Sequence, residues 1–256
     1  MNYDDPIVYP NQPGRAHLHT YFGNTGTNAY STAELLRTTG RGSCAGGILN
    51  RSSYWMPSLL SNGTPLVPTE GFVYYKSGYP VTPNQSIHDI PAGLRMIAGS
   101  SSATSAQSFE IVTWSCVNGS VSGYFQVIPD CLPSDSLRLN VVFPQCWDGV
   151  FLDSTDHKSH LAYPTWNDGC PSSYPVAIPA ITLNVVWRVP STGVGSLRLS
   201  SDSPQAASGS SAHADFWEAW DPATRSAFVV NCIQAGKDCG VRQLNDGRAL
   251  VDSPQS

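Results

Sequence analysis

The chain has 256 residues and carries 14 Lys and Arg against 19 Asp and Glu, a formal charge of -5 with neutral histidines. It has no basic run to displace counterions, which argues against a nucleic-acid or anionic-membrane partner, and no apolar stretch approaches the ~20 residues that cross a bilayer as a helix. Charged residues make up only 13%, about half the usual share, while 22 Gly and 20 Pro read as short strands joined by turns, the texture of a secreted β-protein.

The opening "MNYDDPIVYP" lacks the apolar core of a signal peptide and reads as the start of a mature chain behind an added Met. Pro6, Pro10 and Pro13 break this segment, and "AHLHTYF" then alternates. Extended, it puts His17, His19 and Tyr21 on one face and Leu18, Thr20 and Phe22 on the other. Ser31 and Glu34 have capping-box spacing ahead of "LLRTT", a helix of about two turns. Between Tyr54 and Trp187 the runs "GFVYYK", "SFEIVTW", "GYFQVI", "LRLNVVF" and "ITLNVVWRV" read as strands between Pro, Gly, Asn and Ser clusters. Residues 201–212, "SDSPQAASGSSA", read as a flexible loop. After it, 213–245 reads as a C-terminal helical segment packed on the sheet by Phe228, Val229 and Ile233, with Asp221 as N-cap, Pro222 at the first helical position and Gly236 beyond its end. The expected architecture over 1–256 is mainly β: a single-domain β-sandwich or jelly-roll-like body with long loops and a few short helices, including one at the C-terminus.

Seven cysteines, at 44, 116, 131, 146, 170, 232 and 239, include no CxxC pair. Disulfides in an oxidising compartment fit better than a structural zinc site, and chain order suggests Cys116–Cys131, Cys146–Cys170 and Cys232–Cys239 with Cys44 free, although order alone does not fix connectivity.

The residues able to carry chemistry are few. Five of six histidines fall in "AHLH", "DHKSH" and "AHADFW", the last two dense with acids. Imidazole and carboxylate suit acid–base work, because burial and neighbours bring their pKa values near neutrality, and both ligate metals. In "FLDSTDHKSHLAYP", Asp153, His157, His160 and Tyr163 crowd together with Trp147 and Trp166 on the flanks, and Trp beside acids suits sugar stacking. His213 and Asp215 share a face if extended, and Arg95 is a lone cation among apolar residues, paired with a carboxylate or facing a uronate. Each has a plain structural alternative: histidines bonded to loop carbonyls, acids capping turns, Trp in the core. No G-x-S-x-G elbow, P-loop, dinucleotide fingerprint or H-E-x-x-H is present in the sequence.

"DPIVYPNQPGRAHLHTYFGN", "RSSYWMPSLL", "PAGLRMIAG", "VVFPQCWDGVFLDSTDHKSHLAYP", "CPSSYPVAIPAITLNVVWRV" and "HADFWEAWD" follow in this order. The chain thereby resembles, over nearly its whole length, a secreted bacterial and fungal family catalogued as a domain of unknown function, whose fungal members often carry WSC or cellulose-binding modules. It departs from that pattern at Ala16, where Ser is usual, and at Tyr174, where His is usual. The resemblance implies a β-rich fold working on extracellular polysaccharide, and supplies no reaction.

The leading expectation is a secreted, monomeric carbohydrate-active enzyme that cleaves a polysaccharide internally without a cofactor. Glycoside hydrolysis would use Asp153 and Asp215 as the carboxylate pair, oriented by His17, His19, His157, His160 and His213, with Arg95, Trp147 and Trp166 binding substrate. The alternatives are β-elimination of a uronate polymer, with Arg95 or a histidine neutralising the carboxylate and Tyr163 or a histidine moving protons, and a non-catalytic carbohydrate- or wall-binding module. A minority reading has a divalent metal on His17, His19 and one further histidine, with His160 first among His157, His160 and His213.

Overall fold

A computed structural model describes residues 1–78, 86–119 and 121–251. In chain order its elements are strand β1 (His19–Gly23), helix α1 (Ala33–Thr38), strands β2 (Ser53–Pro57), β3 (Leu59–Ser61), β4 (Thr64–Pro65), β5 (Glu70–Lys76), β6 (Arg95–Gly99), β7 (Val112–Val117), β8 (Ser136–Val142), β9 (Cys146–Trp147), β10 (Leu161–Ala162), β11 (Val176–Ala177), β12 (Ala180–Arg188), β13 (Leu197–Leu199) and β14 (His213–Trp217), and helix α2 (Pro222–Phe228), continued by a π-helical turn over Val229–Gln234.

The architecture is mainly β and antiparallel, consistent with a sandwich. Two four-stranded sheets, ordered β1-β2-β14-β6 and β5-β12-β8-β7, contribute side chains to one core. Met56, Met96 and Phe216 come from the first sheet, and Leu139, Leu183 and Trp187 from the second. In the second sheet β8 keeps strict alternation: Leu137, Leu139 and Val141 are buried while Arg138, Asn140 and Val142 are half-buried on the other face.

The first sheet differs, because every residue of β2 and β14 is buried. Its outer face is covered by the N-terminal segment and α1, whose Ile7 and Leu36 pack with Trp55 and Trp217. This covered face holds the candidate site, with His213 and Asp215 on β14.

Several expectations need correcting. Residues 213–217 form not the start of a helical segment but a strand with neighbours on both sides, β2 and β6. A strand buried on both faces carries no polar alternation, so periodicity did not reveal it. The helix starts after Asp221, whose carboxylate accepts from Thr224 N at 2.8 Å as expected of an N-cap, and Val229 and Ile233 are buried against Ile87. The cap of α1 is Thr32, accepting from Leu35 N at 3.2 Å, rather than Ser31. "GYFQVI" contributes only the isolated bridge Trp114–Phe125, and "SFEIVTW" pairs only from Val112 onward. Residues 201–212, expected to be flexible, are pinned by the Asp202 carboxylate, which accepts from Leu199 N, Gly209 N, Ser211 N and Ser211 Oγ, and Ser210 and Ser211 are fully buried. Low apolar content there reflects hydrogen bonding to the body of the fold.

The three disulfides are those chain order suggested, leaving Cys44 free. Burial pushes the Cys44 thiol up to about 11, so about one part in a thousand is thiolate at pH 8. Unreduced protein is expected to react slowly with a thiol reagent when native and to yield a single thiol per chain in denaturant; three or more equivalents would contradict this pairing.

Candidate functional site

Two adjacent acids fold the N-terminal segment over the first sheet. The Asp4 carboxylate accepts from Gly14 N at 2.9 Å and Ala29 N at 3.0 Å, and Asp5 Oδ1 accepts from Ile7 N at 3.0 Å and Val8 N at 2.9 Å around Pro6. The Asp4 carbonyl then receives His19 Nδ1 at 2.9 Å and the Tyr21 hydroxyl at 2.7 Å. Tyr21 in turn stacks on Trp55, its partner across β1 and β2, at 5.4 Å between centroids.

Beneath this cover three imidazoles meet. Ring centroids lie 4.2 Å apart for His17 and His19, 5.0 Å for His17 and His213, and 6.1 Å for His19 and His213. The alternation of "AHLHTYF" turns His19 and Tyr21 to one face, and β14 brings His213 and Asp215 to it; Asp215 pairs with Trp55 on one side and Ile97 on the other. His213 Nδ1 donates to the Ser211 carbonyl at 2.8 Å. With the Nδ1 atoms of His19 and His213 thus engaged, the Nε2 atoms carry the lone pairs. His17 Nε2, His19 Nε2 and Asp215 Oδ2 are buried with no hydrogen-bond partner among the described residues.

Electrostatics follow from this burial. Loss of water pushes His17 down to about 4 and His213 to about 3, and holds His19 well below the usual histidine range, with the neighbouring rings adding to the effect at His19 and His213. Burial first, and Asp5 second, raises Asp215 well above the usual carboxylate range. Asp5 is also raised by burial, against the pull of its backbone donors Val8 and Ile7.

A second group of side chains sits against this cluster. The Arg95 guanidinium lies over the Trp217 ring at 4.1 Å and gives Nη1 to Asp153 Oδ2 at 2.8 Å. Asp153 Oδ1 accepts from His157 Nδ1 at 2.9 Å and from Ser154 N at 2.9 Å. His157 has φ +59°, a left-handed conformation that non-glycine residues adopt seldom, His, Asn and Asp more readily than the rest. Its side chain is 24% exposed. Asp5 lies within electrostatic reach of His157, and Asp215 and His213 within that of Lys158, whose Nζ donates to the Gly99 carbonyl at 2.5 Å. Gly99 is the strand partner of His213, so the 153–160 loop rests on the histidine cluster.

Sequence reasoning thus named residues that fall into three places. His17, His19, His213 and Asp215 meet in the buried cluster, and Arg95, Asp153 and His157 form one chain of contacts beside it. His160 belongs to neither: it is buried, with Nδ1 on Ser154 Oγ at 2.9 Å and Nε2 donating to the Arg95 carbonyl at 2.8 Å, and so ties the loop to β6. The histidine that joins His17 and His19 is His213. Tyr163 donates to the Val142 carbonyl at 2.7 Å and Trp147 to the Phe151 carbonyl at 2.6 Å, both holding backbone, whereas Trp166 is 62% exposed.

The sequence reading missed Asp5, Lys158 and an exposed apolar lip, Val150, Phe151 and Leu152, adjoining Asp153. The Leu152 carbonyl accepts from Arg95 N at 2.9 Å, fixing this lip beside the guanidinium. "DDP" ahead of "IVY", in a chain this poor in charge, was the signal for Asp5.

No curated protein and no solved structure matches the chain. One family's sequence model matches residues 5–220, from Asp5 in the N-terminal cover through β14 to the residue before the α2 cap. The match takes in every residue of the histidine–carboxylate cluster and of the Arg95–Asp153–His157 chain, and the protein accordingly belongs to the family described as Domain of unknown function (DUF1996).

Proposed function

We propose that this protein is a secreted carbohydrate-active enzyme that cleaves a polysaccharide internally, with His157 as its proton-transfer group. The observation carrying the reading is the Asp153–His157 pair. A carboxylate that holds Nδ1–H leaves Nε2 as the basic nitrogen, turned away from Asp153 on a partly exposed, left-handed residue. Asp153, bonded through both oxygens, orients His157, and Asp215, 1% exposed, lies too deep to reach a polymer. Proton transfer therefore passes from the two carboxylates expected from sequence to the histidine that one of them positions. The lip of Phe151 and its neighbours offers an apolar surface for a sugar face. Three disulfides support an extracellular setting, and among the described residues no helix is long and apolar enough to cross a membrane.

Hydrolysis is the first reading: Nε2 takes a proton from water as the water oxygen bonds to the anomeric carbon, the glycosidic C–O bond breaks, and the leaving oxygen takes up a proton from solvent. Elimination is the second, favoured by one feature: Arg95, 31% exposed, stands on the same carboxylate as His157 and suits the carboxyl of a uronate. Incubation with neutral and uronic-acid polysaccharides, following reducing ends and the unsaturated-uronate absorbance together, separates these readings. New reducing ends without absorbance support hydrolysis, and both signals together support elimination. Silence across the panel with retention on insoluble glycan would overturn the enzyme and leave a binding module.

A further inference from the structure

We propose that His17, His19 and His213 form a binding site for one divalent transition metal of the zinc class, through their Nε2 atoms and with Asp215 alongside. Their candidate ligand atoms all lie within 4.8 Å of one another. Imidazole nitrogens on a single zinc, at ~2.0–2.1 Å from it, stand about 3.4 Å apart in a tetrahedron, so modest side-chain rotation closes the set.

Two features point to a cation. Buried polar atoms in native proteins are nearly always bonded, yet His17 Nε2, His19 Nε2 and Asp215 Oδ2 are all buried without a partner among the described residues. Histidines that merely brace a fold use both nitrogens, as His160 does here. His19 and His213 instead give Nδ1–H to the Asp4 and Ser211 carbonyls, the outer contact that fixes tautomer and orientation in histidine–metal sites.

The two other groupings of suitable spacing are weaker. Cys116 and Cys131 of the Cys116–Cys131–Asp135 set are joined in a disulfide. In the Asp5–His19–Asp215 set, one Asp5 oxygen is already held by two backbone amides. A nitrogen-rich set selects zinc, copper or nickel over magnesium and calcium.

The inference stands apart from the proposed cleavage and is tested without substrate. Protein stripped by a chelator is titrated calorimetrically with Zn2+ and, separately, with Mg2+; Co2+ binding is followed by visible absorbance. Wild type is expected to take one Zn2+ per chain and no Mg2+, and to give Co2+ ligand-field bands. His17→Gln and His213→Gln, checked for folding by near-ultraviolet circular dichroism, are each expected to weaken Zn2+ by at least about tenfold and to lose the Co2+ bands. If a buried variant fails to fold, the wild-type titration and spectrum and the half-buried His17→Gln decide. Absence of Zn2+ and Co2+ binding in wild type, or binding unchanged in a folded variant, would overturn the site, whatever the polysaccharide assay gives.

Discussion

Glu218→Ala lowers unfolding stability by about 3–5 kcal/mol, the range for leaving a buried charge without its partner. Glu218 is fully buried one residue beyond β14, and its carboxylate accepts from Gly93 N at 2.7 Å, Trp220 N at 2.9 Å and Arg225 Nη1 at 2.7 Å. Burial raises its pKa while Arg225 and the two amides pull it down. Without the carboxylate, Arg225, itself 7% exposed, keeps Asp89 at 2.8 Å as its acidic partner among the described residues, and two backbone donors lose their acceptor. Glu218→Gln retains hydrogen-bonding atoms but no charge and falls between. Urea unfolding of the unreduced protein reads the difference, and a loss under about 1 kcal/mol would show that water reaches the pair. The consequence is local as well, since this pair clamps α2 to the end of the strand carrying His213 and Asp215.

His157→Asn is expected to cut turnover on the true substrate by about 10²–10⁴-fold, the usual contribution of a positioned acid or base. Asn is the informative replacement because it tolerates φ > 0 better than Ala, so the loop keeps its shape at φ +59° while the basic nitrogen goes. The side chain is partly exposed, and stability should stay within about 0.5 kcal/mol. Asp153→Asn also reduces turnover, because an amide cannot accept from both Arg95 and His157 through two oxygens. Loss at Asp153 with full activity at His157 would reverse the assignment and make the carboxylate the acting group.

Much of the architecture was legible because strands of its second sheet alternate: "LRLNV" in β8 and "ITLNV" in β12 bury every second residue, so period and strand agree there. β14 was not, because "HADFW" is buried on both faces and its Ala and Trp suit a helix equally well. At the site, the face shared by His17, His19 and Tyr21 follows from a strand's two-residue period and holds. The choice of His213 over His160 as third histidine depends on which strand lies beside β2, a long-range pairing that no local pattern encodes. Asp202 likewise orders a Ser-rich loop through bonds that composition does not register.

Reducing-end release by wild type and His157→Asn, side by side at equal concentration on the polysaccharide panel, decides whether His157 moves the proton. Wild type is expected to release reducing ends and the variant at least about a hundredfold less, with matching circular dichroism. Equal rates from both, or no release by wild type on any neutral or uronic-acid polymer, would contradict that role.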